Sequence, residues 1–571
     1  MRHHLQAWIC SLVCLTAIVQ AGDAPDATPR PLIDLLGREL DYGMTNLAMP
    51  DGTKPYFIAY TVTEERSISI GAELGALAAN DETRERMLDV DVRVGDHKID
   101  NTHKIRGAGF GFDPSEFFRR ATPISLEDDP DALRQTLWLA TDRVFKSAAK
   151  KYQQVVTNLK TKVEEEDKSD DFSKERPSVH YEPAVTLHVD RAAWAERLRQ
   201  VSRIALDHPL IYDSGVMLSA AGTHRYMVTS EGTNLQTAKR LLRVTVYAQT
   251  RANDGMELSQ SQTFDAFDTE GLPETEELAA AFMKVIERVL ALREAPLVEP
   301  YTGPAILRNR AAGVFFHEIF GHRIEGHRQK DVEEGQTFTK KIGEEVLPTF
   351  LSVHDDPSRC HFGEQDLRGY YKFDDEGVPS TDVVLVENGI LKTFLLSRSP
   401  VEGFPVSNGH GRRSPGRDVV GRQGNLIVES AKTVPFDELR QMLIDECKKQ
   451  ERAFGYVFED ITGGFTGTSR FGAQSFKVLP VVVYRVYTDG REDELVRGVD
   501  IVGTPLTSFS KIIYTGDDPD VFNGTCGAES GWVPVSAVSP SLLVSQIEIE
   551  KRTREQEKPP ILDAPIAKKG M

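Results

Sequence analysis

Residues 311–329 read AAGVFFHEIFGHRIEGHRQ, with two histidines, His317 and His322, bracketing Glu318. Small and apolar residues lead into the pair and no proline interrupts the run, so the stretch is predicted to be a helix. Histidine nitrogens are common zinc ligands, and a glutamate beside them can act as a general base. The spacing is the constraint. Histidines four apart share one helix face, as in the zincin motif. Five apart, at about 100° per residue, they diverge by about 140°. A straight α-helix cannot aim both at one ion, so the helix must bend, end or take in an extra residue near Gly321. Glycine costs about 1 kcal/mol inside a helix, which makes Gly321 the place for the distortion. The plainer alternative is an amphipathic helix with two half-exposed histidines that bind nothing.

The 571 residues exceed what one core holds and point to two or three domains. Hydrophobic content of 40% and charged content of 27% are ordinary for a globular protein. A net charge of −19 argues against nucleic acid or an anionic membrane surface as a partner. At the N-terminus a short polar start precedes an apolar run at 7–19, too short to span a bilayer comfortably. Val19-Gln20-Ala21 has the pattern of a cleavage site. Residues 1–21 are therefore read as a signal peptide, and the mature chain as exported, periplasmic or secreted. Cleavage leaves Cys360, Cys447 and Cys526. An odd count in an exported protein points to one thiol with a separate task. Cys526, between glycines in GTCGAESG, reads as an accessible turn; Cys360 and Cys447 are open either to pairing or to staying free.

Along the chain, 31–46 is predicted as an amphipathic helix, 56–79 and 87–94 as strands, and 132–166 as a long helix packed through Leu133, Leu137, Leu139, Val144 and Tyr152. The charged run 163–177 reads as a solvated linker. A strand then a helix fill 185–206; 216–221, 223–230 and 241–250 read as successive antiparallel strands, and 275–295 as a helix. Prolines and a glycine at 296–303 mark the domain boundary. Beyond it come a strand at 305–307, the histidine helix, strands at 382–386, 390–396, 425–428, 478–486 and 542–548, and a helix at 434–449. Asn388-Gly389 and Asp489-Gly490 signal tight hairpins. The organisation is a signal peptide at 1–21, an N-terminal domain at 22–298, a C-terminal domain at 299–552 and a loose tail at 553–571. The fold class is α+β: an N-terminal α/β domain with an antiparallel sheet and long helices, then a strand-rich, barrel-like domain entered by the motif-bearing helix.

Six blocks follow one another in order: HEIFGHRIEG, KIGEEV (341–346), DDEGVPS (374–380), LVENGILK (385–392), NGHGRR (408–413) and NGTCG (523–527). The series closely resembles the TldD/PmbA family of metallopeptidases, on its motif-bearing, TldD-like side. The resemblance implies that Cys526 is the third zinc ligand beside His317 and His322, one Zn2+ per subunit, with Glu318 as the base acting on water. It also implies a dimer, either of identical chains or with a motif-less paralogue, and extended or unfolded peptides as substrates. The resemblance implies a cytoplasmic protein, as for the best-known members, so the N-terminus read here departs from them. Within NGHGRR, His410, Arg412 and Arg413 can stabilise an oxyanion or hold a substrate carboxylate, or serve as structural salt-bridge formers. His354, Asp355, Asp356, Cys360 and His361 form a second run of potential ligands, with a polar loop as the alternative, and His327 and Glu325 follow the motif directly. Asp374 and Asp375 are read as turn caps. Cys526 as a nucleophile lacks a separate Cys/His/Asn constellation in the sequence. The functional expectation is a zinc peptidase. Two other readings stand against it: a non-hydrolytic zinc-containing peptide-binding or assembly factor, and a module whose histidines bind nothing.

Overall fold

The computed structural model describes residues 31–104, 121–160, 167–331, 334–470, 476–503, 505–552, 560, 562 and 564–568. The expected signal peptide, the leader after it, and the expected tail apart from a few positions lie outside the described residues.

The N-terminal half is built on one sheet. Its strands are β1 (Pro55–Glu73), β2 (Ala76–Val94), β3 (Thr122–Pro123), β4 (Val179–Tyr181), β5 (Asp213–Thr229), β6 (Asn234–Arg251) and β7 (Glu257–Ala266). Their order is β3-β2-β1-β5-β6-β4, with β7 also on β6, and only β4 pairs in parallel. Helices α1 (Pro31–Asn46), α2 (Pro130–Leu159), α3 (Arg191–Ser202) and α4 (Thr275–Glu294) cover one face. The strand period of two explains how. Ile58, Tyr60 and Val62 face α1 and α2, while Ile68, Ile70 and Ala72, further along the same face of β1, pack under α3 and α4. On α4, Leu278, Phe282, Val285, Ile286, Val289 and Leu292 repeat at helical spacing and are buried. The other face of the sheet meets the C-terminal half. There Lys239 donates to the carbonyls of Arg368 (2.8 Å) and Tyr370 (2.5 Å), Arg243 to that of Asn523 (2.9 Å), and Arg225 pairs with Asp375.

The C-terminal half contains β8 (Tyr301–Leu307), α5 (Asn309–Ile319), α6 (His327–Lys330), β9 (Leu351–Asp355), β10 (Val383–Glu387), β11 (Ile390–Leu391), β12 (Asn425–Ser430), β13 (Thr433–Val434), α7 (Phe436–Lys449), β14 (Phe454–Thr466), β15 (Phe476–Tyr487), β16 (Glu494–Val496), β17 (Val499–Gly503), β18 (Ile512–Gly516), β19 (Asp520–Ala528), β20 (Gly531–Ser539) and β21 (Leu542–Lys551). Strands β8, β14, β15, β17 and β21 pair in a ring and close a barrel. A six-stranded sheet of order β11-β10-β9-β12-β20-β19 stands beside it. Helix α5 leaves the barrel at the end of β8 and lies between the barrel wall at β14 and the sheet at β19 and β20. Every residue from Ala311 to Ile319 is buried, as expected of a helix with neighbours all round. The α+β class and the barrel agree with the sequence reading. Among the described residues no helix is long and apolar enough to cross a membrane.

Several local expectations are corrected. The break expected near Gly321 takes the form of a helix end at Ile319, and of the remainder of 311–329 only a 3-10 turn and the short α6 are helical. The stretches 216–221 and 223–230 form one strand, because β1 and β6 flank it without a break. No strand forms at 185, and the strand expected over 390–396 covers only Ile390–Leu391. Leu139 is exposed on α2, since Leu133, Leu137 and Phe145 take the buried stripe. The linker is not solvated at its centre. Phe172 is buried against the ring of Phe57 and under the guanidinium of Arg93, 3.6 Å from the ring centroid.

These placements set a paired expectation. Leu137→Ala leaves a cavity and costs about 2–5 kcal/mol. Leu139→Ala, two residues on, changes stability by under about 0.5 kcal/mol. Denaturant titration of the two variants checks the pair, and equal losses would show that α2 packs through a different stripe.

Candidate metal centre

Helix α5 delivers His317 and Glu318 in its last turn, and the chain then changes course. Phe320 caps the helix, its amide still donating to the Phe316 carbonyl at 2.9 Å, and residues Gly321–Arg323 form a single 3-10 turn. Of the three remedies open to a five-residue spacing, the chain ends its helix rather than bending or bulging it. Two side chains enforce the break. Arg323 is buried and donates from Nη1 to the carbonyls of Glu318 (3.3 Å) and Ile319 (3.2 Å). These are orphan acceptors of the helix end, where the dipole also favours a cation. The same guanidinium reaches Thr466 Oγ1 at 2.6 Å and the Gly467 carbonyl at 3.1 Å, which ties the helix end to the end of β14. Gln423 fills the space beside Gly321 and donates from Nε2 to the His317 carbonyl at 3.3 Å. A Cβ at Gly321 would fall 1.9 Å from the buried Gln423 Oε1, so any other residue there must displace the Gln423 amide, and the glycine is favoured by close approach and not by its torsion.

The turn swings His322 back toward His317. The two rings meet edge-on with centroids 5.1 Å apart. Cys526 comes from β19, the outermost strand of its sheet, where it pairs with Val533 of β20. This corrects the expected accessible turn: Cys526 is 5% exposed and packs with Val533 and Val535. Its Sγ lies 3.3 Å from His322 Nε2. One donor atom from each of His317, His322 and Cys526 lies within 4.8 Å of the others, the one such buried group found among the described residues. Glu318 is buried beside them, its Cγ only 2.8 Å from where a Cβ on Gly464 of β14 would stand.

Charges around the group are arranged for a thiolate. Burial alone would push the Cys526 thiol up, but His322 and His317 reverse this and hold it well below its ordinary value. Burial likewise works against charged His322; the Cys526 sulfur and the Glu325 carboxylate overcome it and raise that imidazole well above its ordinary value. His317 is raised against the same burial by Cys526. Burial pushes Glu318 upward, with the two histidines pulling the other way. Behind the group stands a wall of buried charge. Glu325 Oε1 lies 3.2 Å from His322 Nδ1 and 3.3 Å from Arg422 Nε, and Glu325 Oε2 accepts from Arg328 Nε at 2.8 Å. Glu325 is held down to about 2: burial opposes this, and His322 and Arg328 prevail. Arg422 donates from Nη2 to the Cys526 sulfur at 3.1 Å and to its carbonyl at 3.0 Å.

Two imidazoles and a thiolate are zinc donors by chemistry. The 3.3 Å between Sγ and Nε2 is close to the edge of a tetrahedron with ligand distances of about 2.0–2.3 Å. His317 Nδ1 is buried with no hydrogen-bond partner among the described residues, an orphan that ligation or a water would satisfy. The residues present therefore fit a zinc ion.

The other expected residues lie elsewhere. His410 is fully buried with Nε2 3.2 Å from Asp355 Oδ1. Arg412 donates to the Gln423 carbonyl at 2.5 Å, and Arg413 to that of Arg417 at 3.1 Å. Their polar atoms serve the framework, and none joins the three-donor group. Asp374 caps its turn as expected, accepting from the amides of Glu376 and Val378 at 2.9 Å each. The run at 354–361 does not converge: His354 faces Asp382, and Asp355 binds the amides of Gly424 and Asn425. His327 pairs with Glu529. Cys360, Cys447 and Cys526 are free thiols. Arg422, Arg323 and Gln423 were not foreseen. The one available signal was a lone cation inside the otherwise uncharged run 419–428, VVGRQGNLIV, which implies a buried arginine with a partner.

Residues 300–551, which hold the closed barrel, the adjoining sheet and the buried His-His-Cys group, match the PmbA/TldA metallopeptidase C-terminal domain. The chain thus carries, in its C-terminal half, the domain of the TldD/PmbA family. It is 32% identical over 240 residues to a metalloprotease of Archaeoglobus fulgidus, covering 42% of this chain and 51% of that one. It is 26% identical over 374 residues to the metalloprotease TldD homologue of Haemophilus influenzae, covering 64% and 70%. It is 28% identical over 253 residues to the zinc metalloprotease TldD homologue of Saccharolobus solfataricus, covering 43% and 51%. The chain thus spans about half the length of two of these three relatives. The crystal structure of TldE from Thermococcus kodakarensis shares the fold at a TM-score of 0.60 and 14% identity, covering 91% of this chain and all of that one.

Carboxylates that face the second nitrogen of a ligating histidine fix its orientation, and their loss typically costs 10–100-fold in metal affinity. Glu325→Gln is expected to weaken zinc binding by about that factor with an unchanged circular dichroism spectrum. Competition with a chromogenic chelator measures it, and undiminished affinity would show that Glu325 does not orient His322.

Proposed function

We propose that this chain is a zinc-dependent peptidase that hydrolyses extended or unfolded peptides, with Glu318 as the general base. The observation that carries the reading is the meeting of His317, His322 and Cys526 within 4.8 Å, with Glu318 buried alongside. The names of the relatives support it, one of them a zinc metalloprotease.

Zinc, when bound by the three donors, polarises a peptide carbonyl and makes a water acidic enough to lose its proton near neutral pH. The residues of the chain do the rest. Glu318 accepts the proton of the attacking water and returns it to the departing amide nitrogen. Its burial, which raises its proton affinity, suits it to both halves of that task. Arg422 and the pair Glu325–Arg328 keep the donors in place and balance the thiolate charge. Strand β19 carries Cys526 at the edge of its sheet. A substrate added there as a further strand is read through its backbone, which favours extended chains over particular side chains. The sheet of the N-terminal half packs against this half through Arg225, Lys239 and Arg243. Export through the signal segment at 1–21 puts the reaction outside the cytoplasm, in a dimer of identical chains or with a motif-less paralogue.

Glu318→Gln keeps the shape of the site and removes the base. Zinc content and peptide binding are expected to persist while cleavage of an unfolded test protein falls about 10²–10⁴-fold. Chelation should abolish cleavage by the native protein and added zinc restore it. Full cleavage by the variant would remove Glu318 from the mechanism, and peptide binding without cleavage in the zinc-loaded native protein would favour a binding or assembly factor.

A further inference from the structure

Cys360 has no part in the metal group, yet the fold gives it partners of its own. It precedes a small ribbon, His361–Phe362 against Gln365–Asp366, in which His361 and Asp366 stand opposite each other. Cys360 Sγ lies 2.8 Å from His361 Nδ1. Across the ring, His361 Nε2 lies 2.7 Å from Asp366 Oδ1. The second oxygen of that carboxylate, Oδ2, accepts from the amide of Phe267 at 2.7 Å. The Phe267 ring also meets the imidazole edge-on, with centroids 6.0 Å apart. Carboxylate and ring are thus both fixed by one residue of the N-terminal half.

The arrangement sets the tautomer. With Asp366 accepting from Nε2–H, the Nδ1 lone pair faces the sulfur. Thiol, imidazole and carboxylate then stand in the order that activates a nucleophile: the ring takes the thiol proton and the carboxylate stabilises the imidazolium. The His361 side chain is 52% exposed and Cys360 is not buried, so the sulfur is within reach of small molecules. Neighbours in sequence alone would not produce this, because Asp366 is brought in by the ribbon and Phe267 by the far sheet.

We propose that Cys360, His361 and Asp366 form a thiol-exchange site that takes low-molecular-weight disulfides. His361 removes the Cys360 proton as the sulfur attacks one sulfur of the disulfide. The bond within the small molecule breaks as the new S–S bond forms. The departing thiolate takes the proton back from the imidazolium and leaves as a thiol, and Cys360 keeps the other half as a mixed disulfide. The disulfide supplies the oxidation, so no other oxidant is needed. The adduct sits at the seam where Asp366 binds Phe267, and it does not depend on the metal site being loaded.

The test uses the full-length, zinc-loaded protein and glutathione disulfide at neutral pH, with peptide mapping by mass spectrometry. The mixed disulfide on Cys360 is expected to form about tenfold faster than on a synthetic peptide of residues 357–364, which has the same Cys-His pair but no Asp366. Buried Cys447 should stay unmodified and serve as the internal control. His361→Gln should bring the rate down to that of the peptide, and Asp366→Asn to a value between. Equal rates for the native protein and the peptide would overturn the proposal even if a variant folded poorly, as would native-like rates in both variants.

Discussion

An α-helix turns about 100° per residue, so side chains five apart can share one ion only if the helix is distorted between them, and here it stops. The C-terminal half is arranged around that stop. Arg323 takes up the carbonyls of Glu318 and Ile319 and carries them to Thr466 and Gly467, so the end of α5 is also its attachment to the barrel. Gln423 does the same from the sheet side through the His317 carbonyl. The break is thus held by groups from two separate strand systems. An arginine and a glutamine satisfy backbone acceptors that a buried helix end would otherwise leave orphaned.

Once the helix is broken there, charge becomes the second problem. A buried thiolate, two imidazoles, Glu318 and Glu325 would be costly to desolvate without partners. Arg422, fully buried, reaches both the Cys526 sulfur and the neighbourhood of Glu325, and Arg328 binds Glu325 from the other side. The network joins donors that are some two hundred residues apart in sequence. The same logic runs through the seam between the halves, where Arg225, Lys239 and Arg243 from one face of the N-terminal sheet bind groups of the C-terminal loops. Basic residues there act as fasteners, which is why His410, Arg412 and Arg413 turn inward to Asp355 and to carbonyls.

Periodic elements were legible in the sequence because their side chains report the environment directly. Helix α1 and the buried stripe of α4 follow from leucines and valines at helical spacing, and the Asn388-Gly389 hairpin from its turn chemistry, with φ of 49 and 83 at the two positions. The long strand β14 was missed because Gly463 and Gly464 and three register shifts against β15 spoil its alternation. The need for a break near Gly321 was legible, whereas its form was not, since it is decided by Arg323, Gln423 and Thr466 acting across the fold. Cys526 was found by resemblance, but its setting was misread. Flanking glycines suggested a turn, while the structure uses them within a strand, with the Trp532 ring lying over Gly527. Of the Cys360 triad only Cys360 and His361 stood out, in the run of potential ligands at 354–361, because Asp366 joins them through the ribbon and Phe267 only once the two halves have packed.

The central claim is that His317, His322 and Cys526 hold one zinc ion together. X-ray absorption at the zinc edge of the purified protein tests it most directly. The account predicts one zinc per chain with about two nitrogen neighbours near 2.0–2.1 Å and one sulfur near 2.3 Å, the sulfur shell vanishing in Cys526→Ser. A zinc shell without sulfur in the native protein, or a sulfur shell that survives that substitution, would contradict it.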